Sequence, residues 1–286
     1  VIASWLSARG ALAAEPRARS RRSKRMPADM KLSLDTYVIC KEMSLEHILK
    51  VLTDNGYDAV EFRCEHEQQH GVELEASADE RKQLRKQIED AGIAVSCLST
   101  SRRFEWPEPE RRQEEIDLSK RYVELARDMG CGRIRTFGNN FPDGVEKQDV
   151  IQYVGESLRQ IGEFAAGTGV DVMLEMHGEF NHWEYALGSV EIADHPNVAI
   201  NYNCDRRDLV DGSVAATYGH VKEHIRHVHM HDLADGTFPY VELFQLLTDN
   251  GYRGYMSLEQ GYKGGDADTV IKLYAALYRA LMAQVG

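Results

Sequence analysis

From Met30 to the C-terminus, short β-rich runs alternate with longer segments of helical period. The pattern predicts strands at 31–40, 58–63, 93–99, 133–137, 170–176, 198–203, 225–231 and 254–259. It predicts helices at 44–55, 77–91, 107–129, 147–168, near 189–194, and at 211–223, 238–250 and 266–284. Eight strand–helix units of about 32 residues each fit a closed (β/α)8 barrel. A doubly wound open sheet is the alternative. It normally carries a glycine-rich loop after the first strand, and Val38-Ile39-Cys40-Lys41-Glu42-Met43-Ser44 supplies none. An internal echo favours the barrel: Leu52-Thr53-Asp54-Asn55-Gly56-Tyr57 recurs as Leu247-Thr248-Asp249-Asn250-Gly251-Tyr252. Each copy ends an amphipathic helix with a glycine suited to a left-handed cap, and a strand follows.

Along a barrel strand, side chains alternate between the axis and the helix layer, and functional groups gather at the strands' C-terminal ends. In 170–176, Val172, Leu174 and Met176 take the outward parity, which turns Glu175 and then His177 toward the axis. In 198–203 the outward set is Val198, Ile200 and Tyr202, leaving Asn201, Asn203 and, beyond them, Asp205 inward. Val228 and Met230 leave His227, His229 and His231 inward, and Met256 and Leu258 leave Ser257 and Glu259. Val60 and Phe62 likewise leave Glu61 and Arg63. One such group alone is ordinarily an ion-paired glutamate or a hydrogen-bonded histidine. Five strands aiming polar groups at one mouth is a stronger signal, because each buried without a partner costs at least ~1–3 kcal/mol. A divalent cation supplies that partner. Two carboxylates, an imidazole and an amide oxygen form a mostly oxygen shell, which suits Mn²⁺ or Mg²⁺ better than structural zinc.

Composition narrows the function classes. Apolar residues make up 43% and charged residues 28%, an ordinary globular balance. No apolar run approaches the roughly 20 residues that cross a bilayer, so no membrane span is expected. Cys40, Cys64, Cys97, Cys131 and Cys204 are scattered with no CxxC pair, which points to a reduced, cytoplasmic chain without disulfides or a zinc knuckle. The net charge of −12 is uneven. Residues 1–29 carry seven Lys and Arg against Glu15 and Asp29, so the remainder is markedly more acidic than the total and repels nucleic acid. That basic, acid-poor stretch is read as an extension preceding a natural start at Met30, disordered or not native; a targeting peptide and a functional tail are the alternatives. Residues 30–286 are the expected catalytic domain.

Four phrases carry a family resemblance: Tyr57-Asp58-Ala59-Val60-Glu61-Phe62-Arg63, Val172-Met173-Leu174-Glu175-Met176-His177-Gly178-Glu179, His227-Val228-His229-Met230-His231-Asp232, and the run Asp249 to Glu259 ending Tyr255-Met256-Ser257-Leu258-Glu259. Over residues 30–286 the chain resembles the sugar phosphate isomerase/epimerase group of xylose isomerase-like TIM barrels. The resemblance implies one divalent metal, Mn²⁺ first with Mg²⁺ or Co²⁺ as alternatives, held by Glu175, Asn203, His229 and Glu259. Family members often show Asp with a His three residues on at the strand 6 position. Here Asn203 and Asp205 both remain candidates.

The resemblance also implies aldose–ketose isomerisation or ketose epimerisation through an enediolate. A proton next to a carbonyl is too weakly acidic for a free carboxylate, and a metal on the carbonyl oxygen stabilises the developing charge. Glu175 and Glu259 are the candidate acid/base pair. His177, Glu61, Arg63, His70 and Asp205 are candidate substrate contacts. Arg135 and Arg206 are candidates for a phosphate or carboxylate, with surface ion pairs as the plain alternative. Asp232 is a candidate partner for orienting the His229 ring, and His227 reads as buried structure. Within the same fold an inosose-type dehydratase is the nearest alternative. An apurinic endonuclease would need further His and Asp ligands, and Asp235-Gly236-Thr237-Phe238-Pro239 lacks the histidine. A non-catalytic sugar-binding barrel is the remaining class. The expected partner is a small sugar or keto acid, with a homodimer or homotetramer expected by analogy only.

Overall fold

The computed structural model describes residues 30–261 and 264–286, so the extension expected at 1–29 lies outside the described residues. Its strands are β1 (Lys31–Asp35), β2 (Ala59–Arg63), β3 (Ala94–Arg103), β4 (Arg133–Phe137), β5 (Asp171–Glu175), β6 (Val198–Asn203), β7 (Ile225–Met230) and β8 (Tyr255–Leu258). They close into one parallel barrel in chain order. The seam pairs β1 with β8 from Lys31↔Tyr255 to Leu34↔Leu258. The helices that follow the strands in turn are α1 (Leu45–Asp54), α2 (Ala78–Asp90), α3 (Pro109–Asp128), α4 (Lys147–Ala165), α5 (Trp183–Ala193), α6 (Ala215–Val221), α7 (Tyr240–Asp249) and α8 (Ala267–Met282).

Several boundaries differ from the sequence reading; helix α6, expected over 211–223, spans only Ala215–Val221. The first strand stops at Asp35, because the chain then turns on itself with the amide of Cys40 bonded to Thr36 O at 2.9 Å. β3 runs on to Arg103. Helix α5 begins at Trp183, six residues before its expected start, and its apolar residues (Trp183, Tyr185, Leu187, Val190, Ile192) are too dispersed to show a clean period.

The repeated hexapeptide folds the same way twice. Tyr57 N donates to Leu52 O at 3.0 Å and Gly56 N to Thr53 O at 3.2 Å; Tyr252 N donates to Leu247 O at 2.9 Å and Gly251 N to Thr248 O at 3.0 Å. This is the Schellman pattern, and Gly56 (φ 65°) and Gly251 (φ 75°) supply the left-handed residue it needs.

Hydrophobic burial is concentrated between barrel and helices. Val60, Phe62, Val172, Leu174, Val228, Met230, Met256 and Leu258 all belong to that layer, on the parity expected of them. Inside the barrel a separate apolar cluster holds only Cys97, Met173 and Ala199. TIM barrels ordinarily fill this space with branched aliphatic residues. Here the buried polar set includes Ser33, Asp35, Glu61, Ser99, Arg135, Glu175, Asn201, Asn203, His227, His229 and Ser257. All five cysteines are buried and free. Among the described residues no helix is long and apolar enough to cross a membrane.

Candidate active site

The inward groups of β2, β4, β5, β7 and β8 converge. Ligand atoms of Glu175, His229 and Glu259 all lie within 4.8 Å of one another. His229 Nδ1 stands 3.6 Å from Glu175 Oε2 and 3.5 Å from Glu259 Oε2. Donors bound to one cation at about 2.0–2.2 Å stand roughly 3–3.5 Å apart, so this spacing suits a shared ion. Neither His229 Nδ1 nor Glu175 Oε1, both buried, has a hydrogen-bond partner. These orphaned atoms are the donor types a divalent cation takes, and the residues fit the metal that the fold implies.

Charge is tightly held around them. Arg135, fully buried on β4, donates through Nη1 to Glu175 Oε2 at 2.6 Å. Burial alone would raise the Glu175 carboxyl, but Arg135 and His229 hold it well below the ordinary carboxylate range. Burial would likewise lower His229, yet Glu61 and Glu175 beside it keep its imidazole well above the usual histidine range. On the opposite side Glu61 faces both histidines of β7: Oε2 lies 2.7 Å from His227 Nε2 and Oε1 lies 3.0 Å from His229 Nε2. Ser99 Oγ donates to Glu61 Oε1 as well. Burial opposes the Glu61 charge, and the two imidazoles outweigh it.

Asp35 was missed by sequence reasoning. It is buried, accepts from Tyr37 N at 2.9 Å and lies 3.2 Å from Ser99 Oγ, and burial followed by the charge of Glu61 pushes it up to about 7. The alternation Leu32-Ser33-Leu34-Asp35 carried the same parity signal as the other strands.

The structure does not gather every expected residue. Asn203 is buried at the end of β6, and its Oδ1 accepts from His231 Nε2 at 2.6 Å. Asp205 is turned away, capping the 3₁₀ turn Arg206–Asp208 and pairing with Arg207 at 2.6 Å. Four expected substrate contacts are engaged elsewhere. Glu61 lies fully buried against the two histidines. Arg63 donates to the carbonyls of Cys64 (2.9 Å) and Ser99 (2.8 Å). His70 has both ring nitrogens in its own loop, with Arg63 O at 3.1 Å and Val72 N at 3.0 Å, and burial lowers it to about 4. Arg135 pairs through Nη1 with Glu175, while its buried Nε has no hydrogen-bond partner. His177 does reach the mouth. It is exposed, its Nδ1 is 3.0 Å from Asn139 Oδ1, and its ring lies 5.0 Å from that of Phe137. Asp232, the expected partner of His229, instead accepts from the Tyr274 hydroxyl at 2.8 Å.

Comparison with known proteins places this geometry in context. A family model described as xylose isomerase-like TIM barrel matches residues 49–280. D-psicose 3-epimerase of Ruminiclostridium cellulolyticum is 23% identical over 184 residues, covering 59% of this chain and 63% of that protein. 3-Dehydroshikimate dehydratase of Pseudomonas putida is 24% identical over 160 residues, 55% of this chain and 24% of that protein. The chain thus spans less than two thirds of the length of these relatives. A solved structure of an L-ribulose 3-epimerase superposes with a TM-score of 0.76 at 18% identity, covering 89% of this chain and 95% of that one; this likeness shows the fold.

Proposed function

Because this chain belongs to the xylose isomerase-like TIM barrel family, we propose that it is a divalent-metal-dependent isomerase or epimerase of small sugars or keto acids. The reading is carried by one observation: Glu175, His229 and Glu259, buried or nearly so at the ends of three strands, bring their ligating atoms within 4.8 Å of one another. Glu175, His229 and Glu259 would hold the ion, with Asn203 beside His231 as the candidate fourth ligand. When bound, the metal supplies Lewis acidity that lowers the cost of charge on a substrate carbonyl oxygen.

The chain's own residues do the rest. Glu259 accepts the proton from the carbon beside the carbonyl, and Glu175 faces it from β5 as the second carboxylate of the pair. Arg135 keeps Glu175 ionised and fixes one of its oxygens, so Glu175 is the more rigid of the two. His177, exposed above β5, is placed to hydrogen-bond a substrate hydroxyl. Mn²⁺ is the first candidate metal, with Mg²⁺ and Co²⁺ behind it. The chain acts in the cytoplasm, on a small molecule rather than nucleic acid.

A dehydratase reading rests on the similarity to 3-dehydroshikimate dehydratase. It begins with the same proton abstraction and then expels a β-hydroxyl. Proton exchange tests the shared first step, and product mass separates the two readings. Incubation of the Mn²⁺-loaded chain in D₂O with ketoses, keto acids and their phosphates is expected to place deuterium next to a carbonyl, and Glu259→Gln to abolish it. Loss of 18 mass units from the product would select the dehydratase (about one water). Equal exchange by Glu259→Gln and the parent would remove Glu259 from the chemistry.

A further inference from the structure

The buried group with the least obvious purpose is Glu61. It sits on the inward parity of β2, at the full depth of the barrel, and reaches across to β7. Its two oxygens are shared among three side chains: His227 Nε2 at 2.7 Å on Oε2, His229 Nε2 at 3.0 Å on Oε1, and Ser99 Oγ on Oε1. A carboxylate can only accept, so each of these three groups must donate a proton to it. His227 and Ser99 approach it from β7 and β3, which leaves the carboxylate no freedom to swing away from His229.

The consequence falls on the far edge of the His229 ring. With Nε2–H committed to Glu61, Nδ1 is the nitrogen left to face an ion, and it stands 3.6 and 3.5 Å from Glu175 Oε2 and Glu259 Oε2. A ring free to rotate or to change tautomer would present a proton where a ligand is needed. Metal-ligating histidines commonly donate their second nitrogen to a carboxylate for this reason.

We infer that Glu61 is a positioning residue of the candidate metal centre: it holds His229 through Nε2–H so that Nδ1 is the ligating atom, and it does not touch substrate. The inference rests on the metal-dependent reading above, extends it to a carboxylate on a different strand, and replaces the substrate contact expected of Glu61. His227 and Ser99 serve as the braces that fix Glu61 itself. Replacement by glutamine keeps the shape but substitutes one acceptor and one donor for two acceptors. One of the two imidazoles then loses its acceptor, and His229 is released to protonate Nδ1.

Two measurements on the full chain test this. Calorimetric titration of Mn²⁺ into metal-free protein is expected to show Glu61→Gln binding about 10–100-fold more weakly than the parent, with unchanged far-ultraviolet circular dichroism. The second needs no variant, so a folding failure of Glu61→Gln leaves the inference testable. In Mg²⁺-saturated parent protein with ¹⁵N-labelled histidine, His229 is expected to show a proton on Nε2 and none on Nδ1. A proton on Nδ1, or a folded Glu61→Gln that binds Mn²⁺ within twofold of the parent, overturns the role assigned to Glu61 while leaving the metal centre standing. Failure of the parent to take up either ion overturns the metal-dependent reading itself, and this inference with it.

Discussion

Arg135 shows what a single residue contributes to this site. It is buried on β4 with its guanidinium 2.6 Å from Glu175, amid Asp35, Glu61 and Glu259. Arg135→Met keeps much of the volume and removes the charge, leaving Glu175 as a buried carboxylate with His229 as its main counter-charge. Breaking such a pair costs about 3–5 kcal/mol, far above the 0–1 kcal/mol of an exposed ion pair. Urea unfolding at neutral pH is expected to show that loss, and a change below about 1 kcal/mol would mean the pair is not what keeps Glu175 charged. The pH dependence has a definite sign. Arg135 holds the folded-state Glu175 below its ordinary range, so its stabilisation is full above the unfolded carboxylate range and is lost as the pH falls; the variant should lose less on acidification. At this scale the sequence was informative about direction and blind to partners. Parity alone turned Glu175, His229 and Glu259 inward. That Arg135 belongs to Glu175, and Glu61 to two histidines on the far wall, follows from how β2, β4, β5 and β7 face one another after closure, which no local pattern encodes.

At the scale of elements, the two copies of Leu-Thr-Asp-Asn-Gly-Tyr are a built-in comparison. Both glycines hold positive φ in the same cap, but their surroundings differ: a Cβ on Gly251 would meet nothing within 4 Å, whereas one on Gly56 would stand 2.8 Å from Arg279 Nη2. Gly251→Ala therefore incurs only the left-handed backbone penalty, about 1–2 kcal/mol less whatever the unfolded chain gives back. Gly56→Ala must also displace Arg279, which donates to Gly56 O at 2.9 Å, so its loss should be the larger. Chemical denaturation of the two variants checks the order, and the opposite order would mean the caps are not equivalent. Both caps were legible because six identical residues dictate the same local bonds. The start of α5 was not, because Trp183, Tyr185, Leu187 and Ile192 spread around the helix; Trp183 gains its place by stacking on His220 at 3.7 Å, a long-range contact. The end of β1 was equally hidden, since Tyr37 to Cys40 read as strand-forming residues until tertiary turns claim them.

For the whole molecule, eight repeats of nearly equal length made the barrel legible. Closure has an electrostatic consequence that can be measured. It draws Asp35, Glu61, Glu175 and Glu259 into one buried region, opposed chiefly by Arg135 and His229. A divalent cation seated among Glu175, His229 and Glu259, as proposed, would bind the folded barrel and find no such arrangement in the unfolded chain. Binding to one state only stabilises it by about 2.7 kcal/mol when free metal is 100 times the dissociation constant. For a domain of this size 1 kcal/mol moves the unfolding midpoint by roughly 2–4 °C, so saturating Mn²⁺ should raise it by about 5–10 °C and excess chelator should reverse the rise. Glu259→Gln should abolish most of the increment while keeping the parent's metal-free midpoint to within a few degrees. An increment that survives in Glu259→Gln would locate the cation elsewhere on this acidic surface. No increment in the parent would leave the four carboxylates balanced by Arg135 and His229 alone, and the barrel would then need a chemistry without a metal.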